Sequence, residues 1–223
     1  MATQSNKDAF MGGLMNLFKE QWQADVLLKA GDSDDGAAIP AHKLVLAGRS
    51  EVFKDMVEQG EFKASSKLET ITLSEMKHGE VEALVEFMYS VDGSISCRSL
   101  GKHGRSLYLA ADKYKILHLR DLCRHHLIQS LDSSNALSII ELAQIPFDKD
   151  LHDAAFAAIN NNLRPIASSD EFKLFVEKYP NLTVEIMKAS LTWEASPNHI
   201  HLGGNRYCGH CGSYCRFCGY PND

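Results

Sequence analysis

The residues best suited to chemistry crowd one end of the chain. The stretch CGHCGSYCRFCG carries Cys208, Cys211, Cys215 and Cys218 as two copies of C-x-x-C-G. A two-residue gap lets both thiolates of a pair face one ion, and the glycine permits the tight turn that frees backbone N–H groups toward sulfur. Four soft ligands suit tetrahedral zinc, with an iron–sulfur centre as the competitor. Only Gly212, Ser213 and Tyr214 separate the pairs, less than a zinc ribbon leaves between its knuckles. Three arrangements stay open: all four cysteines on one ion, a site completed by His199, His201 or His210, or pairs contributed by two chains of a dimer. A tail of free thiols is the reading that needs no metal.

Histidine is the other candidate. His42 stands directly before an apolar run in IPAHKLVLAGRSEVFKDM, and an imidazole that titrates near neutrality can transfer protons or bind metal. No nucleophile or carboxylate motif accompanies it, so His42 reads as a structural group at a helix start. His125 and His126 follow Cys123 on a predicted helix, but consecutive residues point in different directions and make a poor chelate. Cys97 and Cys123 read as small buried hydrophobes. No enzyme site is read from these groups.

The elements that must position these groups follow from patterning. The 223 residues are 44% hydrophobic and 23% charged, enough for one large domain or two small ones. A net charge of -6, with both signs mixed throughout, gives no long basic face for a phosphate backbone, so nucleic acid is not an expected partner. MATQSNKDAF lacks a basic segment leading into an apolar one, and no run of about eighteen apolar residues occurs, so a soluble intracellular chain is expected.

Phe10, Met11, Leu14, Met15, Leu17, Phe18 and Trp22 recur at three- and four-residue steps, which predicts a helix with a rich apolar face. ADVLLKA and AAIPAH predict two strands around GDSDDG. From His42 to Glu58 the period is helical, with a break at Arg49 and Ser50; SSKLETITL alternates as a strand through Leu68, Thr70 or Ile71, and Leu73. KHGEVEALVEFMYS predicts a helix closed by Asp92-Gly93, and SISC a small strand. Beyond that, SLYLAADKYKI, LHLRDLCRHHLIQSL and later segments are all helical to about Trp193. N-caps are expected at Ser133 or Ser134, at Asp148, and at Ser168 or Ser169. After Trp193 no periodicity could bury a core.

The succession ADVLL, IPAHKLVLAGRSEVFKDM, ITLSEM, ALVEFMYS and LYLAADKYKILHLRDLC resembles the BTB/POZ domain, motif by motif and in order. The helices that follow look like the BACK-like or cullin-box extension of speckle-type POZ adaptors. The resemblance implies an α+β chain in three parts: a BTB/POZ domain at 1–131, with a small sheet flanked by helices; an all-helical BACK-like extension at 132–195; and a Cys/His-rich tail at 196–223. It implies a homodimer or mixed BTB dimer joined through Met11, Leu14, Met15 and Phe18, with Asp25 and Arg49 matching the family's charged pair near the interface. It also implies a role as substrate adaptor of a cullin-3 ubiquitin ligase in nucleus or cytoplasm. The cullin surface would map onto Met56, the loop at 59–66 with Phe62 as anchor, and Tyr89. Ala64 stands where many cullin-binding members place glutamate. No MATH or kelch segment accompanies the domain, so the unknown substrate would be read by the extension, the tail or a partner chain. The BTB domain needs no cofactor; zinc is the expectation for the tail. The competing roles are a dimeric scaffold or transcriptional co-regulator without cullin, and a metal- or redox-responsive regulator.

Overall fold

The alternation of Val26, Leu28 and Ala30 buries one face of strand β1 (Val26–Ala30), the centre of a three-stranded sheet. The chain is described from a computed structural model covering residues 6–32, 37–58 and 68–193, with the backbone of 207–208 and 213–214. On one side of β1 lies β2 (Ile39–Ala41), antiparallel, with Ala41 opposite Val26. On the other lies β3 (Glu69–Leu73), parallel, with Glu69 opposite Val26. A parallel neighbour requires a crossover, and it contains α2 (Lys43–Arg49) and α3 (Glu51–Glu58). The two helices break at Ser50, which is extended (φ -142°, ψ 120°), as the sequence predicts.

The chain divides into two compact units, Met1–Cys123 and Arg124–Asp223, the division falling inside helix α6 (Leu117–Gln129). In the first unit α1 (Asn6–Lys19) precedes the sheet. Helix α4 (His78–Met88) packs on β1, β2 and α2, and against α5 (Cys97–Lys113), burying Val81, Leu84, Phe87 and Met88. Phe53 and Tyr114 stack at 4.7 Å with rings nearly parallel, and both are buried.

SISC is no strand: Ser96 caps α5, its hydroxyl accepting the Ser99 N–H, and the helix runs from Cys97 through Gly101 and Gly104, glycines that hide its period in the sequence. Helix α4 ends at Met88, not at Asp92-Gly93; Gly93, at φ +72°, serves the later turn, where a Cβ would stand 2.8 Å from the His118 ring. Leu68 lies before β3 and is exposed, because Glu69, Ile71 and Leu73 set the inward phase of that strand.

The second unit is helical up to Trp193. It contains α7 (Ala136–Leu142), α8 (Lys149–Asn161), α9 (Leu163–Ala167), α10 (Asp170–Lys178) and α11 (Pro180–Trp193). Helix α8 packs on α7, α9 and α11, and α10 on α7, α9 and α11, around Ile139, Ile140, Leu151, Ile159 and Phe175. Asp148 and Ser169 are N-caps as expected, accepting the N–H groups of Leu151 and Phe172. Ser133 and Ser134 are not caps: Asn135 holds that position, and the Asp132 carboxylate takes the N–H groups of Ser134 and Asn135 instead. Further on, β4 (Tyr207–Cys208) pairs antiparallel with β5 (Ser213–Tyr214). The whole is the helix-rich α+β fold with a small sheet that the sequence predicts. Among the described residues no helix is long and apolar enough to cross a membrane.

Candidate functional site: a protein-interaction surface on the first unit

The sheet and α2 fix one end of α1 by a polar and aromatic cluster. His42 sits at the N-cap position of α2 and is only 7% exposed. Its Nε2 lies 2.9 Å from the Trp22 carbonyl and its Nδ1 2.7 Å from the Tyr89 hydroxyl, which also accepts the His42 backbone N–H at 2.9 Å. A carbonyl only accepts, so Nε2 carries the proton, and Nδ1 takes the one that Tyr89 donates. Every polar side-chain atom of the pair is satisfied by this tautomer. Burial pushes the Tyr89 hydroxyl up to about 12, with the Asp25 charge adding to the rise and the His42 N–H opposing it. The Phe18 ring rests 4.8 Å from His42 and 5.8 Å from Tyr89. His42 is thus architectural, and Trp22 and Tyr89 are partners that no sequence signal twenty or more residues away identifies.

The remaining candidates take the following places. Met11, Leu14, Met15 and Phe18 are all half-buried along α1, while Phe10 is 67% and Leu17 40% exposed. Asp25 and Arg49 do not pair with each other among the described residues. The Asp25 carboxylate accepts the Lys43 N–H at 2.8 Å, capping α2 from outside. The Arg49 guanidinium donates to the Met88 carbonyl at 3.2 Å and to that of Ser90, and lies over the Phe87 ring. It thereby satisfies carbonyls left open at the end of α4. Met56 is half-buried on α3, and Tyr89 is half-buried with its hydroxyl engaged at His42. Phe62 lies outside the described residues, as do Cys211, Cys215 and Cys218; of Cys208 only the backbone is described.

Burial accounts for the other sulfur and imidazole groups. Cys123 is fully buried, which pushes its thiol up to about 12 and leaves it unreactive at neutral pH. Cys97 is half-buried at the first turn of α5. Burial holds the His126 imidazole below its ordinary value. Among the described residues no group of three or more His, Cys, Asp or Glu could hold a metal.

Comparison with known proteins adds the family. A model of the BTB/POZ domain matches residues 14–131. BTB/POZ domain-containing protein At2g40450 of Arabidopsis thaliana is 65% identical over 96% of this chain and 100% of its own length. BTB/POZ domain-containing protein At5g48510 of the same plant is 58% identical over 97% of each chain. Among solved structures, the BTB domain of zebrafish PATZ1 matches with a TM-score of 0.44 and 21% identity, covering 58% of this chain and 99% of that one. The chain belongs to the BTB/POZ domain family, whose members are in general non-catalytic protein-interaction adaptors.

Proposed function

We propose that the chain is a dimeric adaptor that brings a substrate protein to a cullin-3 ubiquitin ligase in the nucleus or cytoplasm. The observation that carries the dimer is the outer face of α1. Phe10, Leu14 and Leu17 follow one another at helical spacing, with Phe10 and Leu17 exposed, on a helix whose Phe18 is engaged by its own domain. Apolar area of this kind is worth about 25 cal/mol per Å² when a second copy covers it. The dimer is homotypic or shared with another BTB chain. Family membership supports the cullin half of the reading, with Phe62 as the anchor and Met56 and Tyr89 beside it; helices α7–α11 are read as the BACK-like extension of the speckle-type class.

The test has two arms. Sedimentation of a Phe10→Asp, Leu14→Asp variant should give a monomer of unchanged helicity; a dimer would overturn the interface. Phe18 is avoided, since its loss disturbs the His42 cluster of the same chain. Calorimetric titration with the cullin-3 N-terminal region should give heat that Phe62→Ala abolishes. Absence of heat at tens of micromolar, with the dimer intact, leaves a scaffold or co-regulator that acts without cullin.

A further inference from the structure

A cleft of about 280 Å³ opens on the first unit where the break between α2 and α3 meets the turn between α5 and α6. Ala47, Gly48 and Arg49 line it from the end of α2, Lys54 from α3, and Lys115 and Leu117 from the turn. Its two walls are held to each other: the Ser50 hydroxyl donates to the Tyr114 carbonyl, and the Phe53 and Tyr114 rings stack. The cleft is therefore preformed, and an occupant need not order it.

Its charge runs against that of the chain. Among the described residues of its lining, Arg49, Lys54 and Lys115 stand against one carboxylate, Glu51, in a chain of net charge -6. Arg49 donates to carbonyls, which do not neutralise it, with Asp92 near enough to feel its charge. Lys54 makes an exposed pair with Glu58 at 3.6 Å, of the kind that solvent screens. Asp55 is the next acid along α3, and Asp112 is already paired with Arg120 at 3.3 Å.

Lys115 supplies an independent observation. It is the left-handed residue of a Schellman turn after α5, at φ +53°, with its N–H on the Asp112 carbonyl and the Ile116 N–H on that of Ala111. Glycine adopts that conformation without the Cβ penalty, and Lys113 already gives the last turn of α5 its cation. The turn has no need of a lysine, which is exposed on the wall of the cleft. Beside it Leu117 is 66% exposed. A small inorganic anion would answer the cations and leave that leucine in water. Carboxylates flanking an aliphatic side chain answer both.

We propose that this cleft docks a segment of a partner protein in which carboxylates flank an aliphatic side chain, the carboxylates meeting Lys54 and Lys115 and the aliphatic group lying on Leu117 and Ala47. Neither Met56 nor Tyr89 lines the cleft. The site goes beyond the adaptor reading, and either can fail alone.

Random decapeptides displayed on phage and selected on the full-length protein should converge on acidic residues around an aliphatic one. Against the Lys54→Glu, Lys115→Glu variant the selection should turn to basic peptides, a reversal that a misfolded protein cannot give. In fluorescence anisotropy an enriched acidic peptide should lose about tenfold in affinity with either single reversal, and more as salt is raised. Lys115→Gly should weaken the peptide while unfolding at no lower urea concentration than the parent. No consensus, the same consensus on both proteins, or displacement of the peptide by an equal concentration of inorganic phosphate would overturn the proposal. So would a Lys115→Gly protein that is less stable, since the lysine would then belong to the turn.

Discussion

The two units differ in how far along the chain their helix ends find partners. In the second, each cap is local: Asp148 serves Leu151, Ser169 serves Phe172, and Asp132 serves Ser134 and Asn135. In the first, local caps such as Ser96 on Ser99 and Ser50 on Phe53 are joined by others that come from far along the chain. Asp25 takes the Lys43 N–H of α2, Asp32 the His78 N–H of α4, and Glu86 the Ser96 N–H before α5. Arg49 holds the end of α4 at Met88 and Ser90, and the Ser50 hydroxyl donates to the Tyr114 carbonyl. A local cap stabilises one helix. A distant cap also fixes where that helix sits, so polar groups of the first unit define the tertiary arrangement on which a binding surface depends.

The largest test of that contrast is Arg49. Replacing it by alanine removes two charge-assisted hydrogen bonds and the contact over Phe87, and leaves the carbonyls of Met88 and Ser90 without this donor. We expect a loss of about 3 kcal/mol in urea unfolding. Lysine should recover only part, since a point charge cannot span both carbonyls as a guanidinium does. A loss below about 1 kcal/mol, the scale of a local cap, would break the contrast.

A middle-sized effect should come from Asp148, whose side chain is 3% exposed and which both caps α8 and pairs with Arg124 at 3.2 Å. Asparagine keeps an acceptor for the Leu151 N–H but removes the charge, so its cost should be about 1 kcal/mol, Arg124 being partly solvated. Alanine loses both and should cost about 2 kcal/mol. Ser169→Ala, a purely local cap, should cost about 1 kcal/mol and leave hydrogen exchange outside α10 unchanged. Protection lost across several helices in that variant would show that the second unit's caps also act at a distance.

The same contrast explains what the sequence made legible. Asp148 and Ser169 could be read as caps because donor and acceptor are three residues apart, directly before an apolar period. Ser133 and Ser134 do not cap because the Asp132 carboxylate folds the turn before α7 by taking the Ser134 and Asn135 N–H groups, which leaves Asn135 at the N-cap position. Strands β1 and β2, the break at Ser50 and the helical period of α1 are legible from the sequence, whereas SISC and the phase of β3 are not. The backbone partners of His42 and Arg49 are not, since one is the Trp22 carbonyl and the others are the Met88 and Ser90 carbonyls. A backbone acceptor has no residue type. Asp25 and Arg49 were matched as a charged pair, and their geometry within one chain gives each a separate backbone target.

The smallest expected effect distinguishes the two units by pH. His42, in the first, has both ring nitrogens engaged, by Tyr89 and Trp22. His126, in the second, is held below 6.5 by burial, which disfavours the imidazolium. Between its folded value and 6.5 the unfolded chain binds more protons than the folded one, so stability rises with pH across that window. The contribution is whole above 6.5 and is lost as pH falls through 6.5 toward the folded value. Asp92 and Asp132 do not confound it: hydrogen bonds from Ser94 and Ser134 lower their carboxyls further below an already acidic range. The urea midpoint of the wild-type chain should therefore drop between about pH 7.5 and about pH 5.5, and the drop should shrink in His126→Gln. Equal drops in the two proteins would mean that His126 is solvated when folded, and the burial assigned to this face of α6 would have to be abandoned.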